Sequence, residues 1–278
     1  MNRTWKESSF SGHDGCDLFC RVCDCPQPRH TLVILPGYGE HSGRYLKFAD
    51  ALQGLPVRIA VMDYRGMGIL KTNSEEGKDF EDFLEDVSAF VRYLKNTYHV
   101  KDKWVFLGHS LGGLIALEWV QRNSDGVKRL ILSAPFLGFP HLELIRHLNN
   151  LVRFFCPTYE YQNPVMPKRL SHDPAESRAY AQDPLIKRRI SARLIGSIFD
   201  AIRNLNSRKT MTVACPVNIL AAGDERIVAP RAVRRFFDRL VAPGKEFTLL
   251  EGFYHEIFNE IDQAKAFNVL KTILEDCV

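Results

Sequence analysis

The chain has 278 residues, 45% hydrophobic and 25% charged, with a formal net charge of +4. That mix is ordinary for a globular chain and excludes disorder, collagen or a coiled coil as the main state. No apolar run nears the roughly 20 residues a membrane-spanning helix needs. The polar opening Met1-Asn2-Arg3-Thr4-Trp5-Lys6-Glu7 lacks the apolar stretch of a signal peptide, so a cytoplasmic chain is expected.

In chain order, Ser8–Phe10 and Leu18–Val22 flank an Asp14-Gly15 turn signal and read as a hairpin. Thr31–Leu35 is a buried strand, Tyr45–Leu52 a helix and Val57–Met62 a strand. Phe80–Tyr98 carries Phe83, Leu84, Val87, Phe90, Val91 and Leu94 at helical spacing. Trp104–Leu107, Leu111–Gln121 and Arg129–Leu132 continue the alternation as strand, helix and strand. Alternation of this kind predicts a mostly parallel sheet covered on both faces. From Phe136 to about Met211 it stops, giving helical patches and prolines with no clear strand. It resumes with Pro216–Ala222 (strand), Arg231–Leu240 (helix), Phe247–Leu250 (strand) and Asp262–Leu274 (helix). One sheet carrying a helical insertion is the simplest reading: a core of residues 1–136 and 212–278, and an inserted segment 137–211. The insertion lies over the carboxyl ends of the strands, where open α/β sheets bind ligands.

Charge is concentrated in that insertion. Between Gly138 and Thr210 twelve Lys and Arg face six Asp and Glu. No nucleic-acid motif accompanies this excess. It reads as a solvated helical surface, or as a surface that attracts anionic lipid and gives the protein peripheral membrane contact. Apolar Leu144, Leu148, Leu151, Phe154, Phe155, Leu194, Ile195, Ile198 and Phe199 recur at helical spacing there and are expected mainly to pack within the insertion. The seven cysteines, among them Cys16, Cys20, Cys23 and Cys25, show no repeated zinc-type spacing. Cys20 and Cys23 in one strand would face opposite sides, so reduced structural thiols are expected and no metal site.

Gly108-His109-Ser110-Leu111-Gly112 fits G-x-S-x-G between a predicted strand and a predicted helix. So tight a bend needs glycine on both flanks. It lifts the Ser110 hydroxyl out of the sheet and aims helix N-terminal N–H groups at the same space. A serine needs a base, and His255, just after the strand ending at Leu250, is the best-placed imidazole. His109 is expected to point away from the bend, and His41 to stabilise its own loop. The imidazole needs an acid: Asp224 and Glu225, after the strand ending at Ala222, are both candidates. The Gly-rich turn Gly37-Tyr38-Gly39 can bring the Tyr38 N–H beside the Leu111 N–H as an oxyanion hole. Glu40 and Arg44 either line the polar end of the substrate pocket or brace this loop.

The segments Gly37-Tyr-Gly-Glu-His-Ser-Gly-Arg-Tyr45, Asp63-Tyr-Arg-Gly-Met-Gly68, Gly108-His-Ser-Leu-Gly-Gly113, Ser133-Ala-Pro135, Tyr180-Ala-Gln-Asp-Pro-Leu185 and Gly252-Phe-Tyr-His-Glu256 resemble the monoacylglycerol lipase and bacterial lysophospholipase branch of the α/β-hydrolases, the serine aminopeptidase-like group. The resemblance covers nearly the whole chain. It implies an α/β-hydrolase fold with a helical cap over an acyl-chain tunnel, hydrolysis of single-chain glycerol or glycerophospho esters, and no cofactor. Pro36 stands where the family usually has His, and Tyr64 and Met67 replace two histidines. Aligning Arg226-Ile227-Val228 on the family pattern favours Glu225 over Asp224 as the acid. An aminopeptidase or amidase, a general carboxylesterase, and a non-catalytic binding protein of the same fold are the rival readings. The nucleophile-position Ser110 disfavours dehalogenase and epoxide hydrolase chemistry, which use Asp there.

Overall fold

Residues 3–71, 77–100, 103–163 and 165–277 are described by a computed structural model; Met1 and Asn2 of the polar opening lie outside them. β1 (Trp5–Ser11) and β2 (Asp17–Cys23) form the antiparallel hairpin, turned at Gly15 with φ 84°. Next come β3 (His30–Leu35), α1 (Phe48–Ala51), β4 (Val57–Met62), α2 (Phe80–Tyr98), β5 (Trp104–His109), α3 (Leu111–Arg122) and β6 (Val127–Ser133). The inserted stretch holds α4 (Leu142–Phe155), β7 (Glu160–Gln162), α5 (Pro174–Gln182), β8 (Arg189–Ser191) and α6 (Ala192–Ser207). β9 (Met211–Thr212), β10 (Val217–Ala222), α7 (Pro230–Arg239), β11 (Leu240–Val241), β12 (Lys245–Leu250) and α8 (Gln263–Glu275) complete the chain.

The eight-stranded sheet has the order β1-β2-β4-β3-β5-β6-β10-β12. From β4 to β12 every neighbour pair is parallel, and only β2 meets β4 antiparallel. Every residue of β3, β4 and β5 is buried, which is why these strands read as unbroken apolar runs rather than alternating ones. One core layer joins the sheet to α2, α3 and α7; the other joins it to α1 and α8. Cys20 belongs to the first layer and Cys23 to the second, the opposite facing that strand alternation requires. A capping box of Asp79 and Asp82 fixes the start of α2.

The order reverses at β3: the chain crosses to β4 on one side and returns to β5 on the other. The crevice at the carboxyl ends of β3 and β5 is therefore a topological switch point. Two glycines close it. A Cβ on Gly112 of α3 would lie 2.0 Å from the Leu35 carbonyl oxygen of β3. One on Gly108 of β5 would lie 2.3 Å from the Gly112 oxygen. The helix can start this close to the sheet only because neither residue has a side chain.

The predicted helix Tyr45–Leu52 is instead a 3₁₀ turn, Ser42–Tyr45, followed by α1. The His41 side chain accepts the Gly43 N–H and holds that turn. β7, β8, β9 and β11 have two or three residues each, too few for a visible period-two pattern. β9 spans the 211/212 boundary read from the sequence.

The inserted stretch holds the larger surprise. Leu144, Leu148, Leu151, Phe154 and Phe155 of α4 do not pack inward; they are exposed, Phe154 to 79%. Arg146 and Asn149 are the buried side chains. Arg146 pairs with Asp200 of α6 at 3.2 Å, Arg153 pairs with the same carboxylate at 2.8 Å, and the Asn149 amide donates to the Ala192 carbonyl at 2.9 Å. These polar contacts turn the helix apolar side out. Leu194, Ile198 and Phe199 of α6 are buried as expected. No helix among the described residues is long and apolar enough to cross a membrane.

The close approach predicts a contrast between two glycine variants. Gly112→Ala, which collides with backbone, costs about 3 kcal/mol or more. Gly244→Ala, whose nearest neighbour would be 3.9 Å away, stays within about 0.5 kcal/mol of wild type. Urea denaturation midpoints measure both, and equal midpoints would contradict the packing described.

Candidate active site

Ser110 occupies the bend between β5 and α3 with φ 52° and ψ −117°, a conformation unfavourable for any residue with a Cβ. Hydrogen bonds hold it there. Its N–H donates to the Ser133 carbonyl at 3.0 Å, and its own carbonyl accepts from Gly113 and Phe136 at 2.9 Å each. Its side chain is half-buried. Leu111 follows as the first helical residue, so its N–H has no intrahelical acceptor.

The loop after β3 folds back onto this bend. A Cβ on Gly37 would touch Ser110 Cβ at 3.4 Å and His109 Cδ2 at 3.3 Å. The loop is tied down by Glu40, whose carboxylate accepts from the Gly37 N–H (2.7 Å), the Tyr45 hydroxyl (2.8 Å) and Arg44 Nε (3.0 Å). Arg44 Nη2 reaches on to Glu256 Oε2 at 2.5 Å, beside His255. Glu40 and Arg44 are thus both buried in the brace, of the two placements their sequence allowed. Burial opposes charge on Glu40, but the facing His109 imidazole, the Arg44 guanidinium and the donated hydrogen bonds hold its carboxyl well below the usual range. Burial also pushes Glu256 up, only partly offset by Arg44.

His255 and Glu225 meet in the same region. His255 Nδ1 lies 2.8 Å from Glu225 Oε2, and both side chains are 3% exposed. Oε1 of the same carboxylate accepts the Ile227 and Val228 N–H groups at 2.8 and 3.2 Å, which fixes its orientation. Asp224, the other candidate, is exposed; its backbone N–H donates to the Phe253 carbonyl, and its side chain has no bond to the imidazole. Burial acts to lower the His255 pKa, yet the Glu225 charge and hydrogen bond outweigh it and the pKa is raised. Burial likewise acts to raise Glu225, and the His255 charge and the hydrogen bonds lower it.

His109 corrects the sequence reading. It does not point away from the bend: its ring lies 4.9 Å from that of His255, buried, with Nδ1 3.3 Å from the Ser133 hydroxyl. Burial pushes its pKa down to about 4, so it stays neutral near pH 7. Next to the nucleophile candidate, it forms the wall against which His255 packs.

The inserted stretch touches both loops. His41 Nε2 lies 2.8 Å from Asp183 Oδ2, the Lys187 N–H donates to the Gly39 carbonyl at 2.9 Å, and the Tyr38 hydroxyl donates to the Arg189 carbonyl at 2.7 Å. On the His255 side, the Glu256 N–H donates to the Leu170 carbonyl at 2.8 Å, and His172 Nδ1 is 2.9 Å from Glu260. Glu256, Asp183 and His172 had no assigned role in the sequence. Glu256 adjoins His255, and Asp183 sits in the Tyr180–Leu185 segment singled out by resemblance, but only the fold shows which atoms they meet.

The family model described as serine aminopeptidase, S33, matches residues 26–262. Phospholipase YtpA of Bacillus subtilis is 25% identical over 259 residues, covering 91% of this chain and 97% of its own. The uncharacterized protein YnbC of Escherichia coli is 27% identical over 281 residues, which are 96% of this chain but 46% of that protein, so the chain spans less than half of this relative. Among solved structures, the monoacylglycerol lipase of Paleococcus ferrophilus superposes with a TM-score of 0.80 at 25% identity, covering 99% of this chain and 100% of that one.

The buried pair makes a pH prediction. His255, raised above 6.5, contributes stability that is complete below pH 6.5 and lost as pH rises through its folded midpoint. Glu225, lowered below 4.5, contributes stability present above pH 4.5 and lost as pH falls through its folded midpoint. Glu225→Gln therefore costs most between these two reference values, about 3 kcal/mol, and less at alkaline pH. Denaturation at several pH values measures this, and a pH-independent cost would contradict it. Imidazole NMR should show the His255 midpoint falling in that variant.

Proposed function

Because the chain belongs to the serine aminopeptidase S33 family and has the α/β-hydrolase fold, we propose that it is a serine esterase acting on single-chain lipids, lysophospholipid or monoacylglycerol, through an acyl-enzyme. The observation that carries the reading is the buried 2.8 Å contact of His255 with Glu225 beside the strained bend at Ser110. In this mechanism Ser110 Oγ attacks the ester carbonyl carbon while His255 Nε2 takes its proton. Glu225 fixes the tautomer by accepting from Nδ1 and stabilises the imidazolium. The Tyr38 and Leu111 N–H groups hold the negative oxygen, each worth about 3 kcal/mol of barrier. His255 returns its proton to the leaving alcohol oxygen. It then takes one from water, whose oxygen attacks the acyl carbon, and hands that proton to Ser110 Oγ as the acyl C–O bond breaks, freeing the acid and restoring the enzyme. The chemistry needs no cofactor. The names of the similar proteins, a phospholipase and a monoacylglycerol lipase, support lipid esters as substrates.

Residues 137–211 serve in this reading as a cap that doubles as the docking surface for a lipid bilayer. α4 presents a row of exposed leucines and phenylalanines, a patch of the kind soluble monomers rarely leave bare. Its carboxyl end lies next to Arg193, whose N–H donates to the Pro157 carbonyl, within the segment of basic excess. Apolar side chains flanked by cations suit an anionic membrane surface better than a protein partner.

A panel of monoacylglycerols, lysophospholipids and aminoacyl amides tests the chemistry. Lipid esters are turned over and amides are not. Ser110→Ala loses about 10⁴-fold or more and Glu225→Gln about 10³-fold, while Asp224→Asn keeps most activity. Because His255 must be neutral, kcat/KM rises with pH through the raised His255 midpoint. Preferential amide turnover, or an active Ser110→Ala enzyme, would contradict the proposal. Vesicle flotation tests docking. Binding should increase with anionic lipid, weaken with salt, and be lost in the Phe154→Ser/Phe155→Ser double variant; equal flotation of wild type and variant would contradict it.

A further inference from the structure

Ser133 ends β6 and His109 ends β5, and neither takes part in the bond-making steps above. They are register partners in the sheet, so their side chains share a face at its carboxyl edge. Ser133 is wholly buried and meets the bend twice. Its carbonyl accepts the Ser110 N–H at 3.0 Å, and its hydroxyl lies 3.3 Å from His109 Nδ1. The backbone around it has little freedom. Ala134 holds φ 41° and donates its N–H to the Leu220 carbonyl of β10 at 2.9 Å. The His109 ring is confined along two edges: Nδ1 meets Ser133, and Cδ2 faces Gly37, where a Cβ would lie only 3.3 Å away. Beside it stands the His255 ring, with centroids 4.9 Å apart and planes tilted by 54°.

We propose that Ser133 is a positioning residue: its hydroxyl fixes the plane of the His109 ring, and that ring keeps His255 aimed at Ser110. The inference rests on the esterase reading and deepens it. Glu225 holds the imidazole at Nδ1, 2.8 Å away. A hydrogen bond keeps much of its strength through a tilt of about 30° at the donor, so this bond alone leaves the ring room to rock. A tilt of that size carries the opposite nitrogen about 1 Å, a displacement on the order that costs a reacting pair its alignment. The His109 ring blocks the rocking on its side. It can do so only while its own χ2, a broad torsion, is fixed, and the Ser133 hydroxyl fixes it with either tautomer. Burial keeps His109 neutral near pH 7, so the wall brings no positive charge against the imidazolium that His255 becomes.

A double-variant cycle tests this, with steady-state kinetics on whichever of monooleoylglycerol and oleoyl lysophosphatidylglycerol the wild type hydrolyses faster. Ser133→Ala keeps the main-chain bond to Ser110 and loses only the hydroxyl; kcat falls about tenfold and KM is unchanged. His109→Phe keeps a ring but has no Nδ1, and its kcat falls by a similar factor. The Ser133→Ala/His109→Phe double variant falls no further than either single one, because both remove the same link. In imidazole NMR the carbon-bound protons of His255 shift and broaden in Ser133→Ala, since the neighbouring ring no longer holds one plane. Ser88→Ala removes a hydroxyl that accepts from Trp119 Nε1 at 2.9 Å between α2 and α3; it loses stability and keeps kcat, which separates aim from general loosening. Undiminished kcat in either single variant, or losses that multiply in the double variant, overturns the positioning role and leaves the esterase reading standing. Turnover of neither ester by wild type overturns the esterase reading, and the role with it.

Discussion

A serine held at φ 52° on a bend with no room for a side chain at positions 108 and 112 is the constraint from which the rest follows. The strain is tolerated because the surroundings over-determine it: backbone bonds to Ser133, Gly113 and Phe136, and contacts of 2.0 and 2.3 Å that a Cβ on Gly112 or Gly108 would make. The same closeness brings the start of α3 against the end of β3. The hydroxyl of Ser110, the N–H of Leu111 and the loop after β3 therefore converge at the switch point of the sheet. Relaxing the bend would separate all three.

A buried charge chain keeps the converging loops in register. Glu40, Arg44 and Glu256 run from the loop after β3 to the loop after β12, and each carries a hydrogen bond that fixes backbone or side chain at its own end. Burying these groups is costly: burial raises the Glu256 pKa, Arg44 only partly offsets it, and the facing Glu40 carboxylate adds to the rise. What the arrangement supplies is position: Glu256 adjoins His255, so the imidazole is registered against the same loop that touches Ser110. The inserted stretch adds its own ties, Asp183 to His41 on one loop and Leu170 to Glu256 on the other. A movement of that stretch would be felt at both loops together.

Much of this was legible in the sequence, for identifiable reasons. The core strands are buried on both faces and announce themselves as apolar runs, and the fold class read from their alternation with helices is the one observed. Ser110 and His255 are chain-local features: one sits between diagnostic glycines, the other just past a strand. The choice between Glu225 and Asp224 was harder, because adjacent residues on a loop differ only in where the backbone aims them. The structure turns one inward to 3% exposure and the other outward. His109 was misread because simple alternation fails at a bend. α4 was misread because periodicity identifies an apolar stripe but not which way it faces; the buried Arg146 and Asn149 decide that through partners on α6 and β8–α6.

The most direct measurement of the central claim is the intact mass and peptide map of the protein after reaction with a long-chain alkyl fluorophosphonate. The account predicts a single adduct, on the peptide containing Ser110, formed quickly in wild type, slowly in Glu225→Gln and not at all in His255→Ala. An adduct on another residue, or full ester hydrolysis by protein that Ser110 does not let the reagent label, would contradict it.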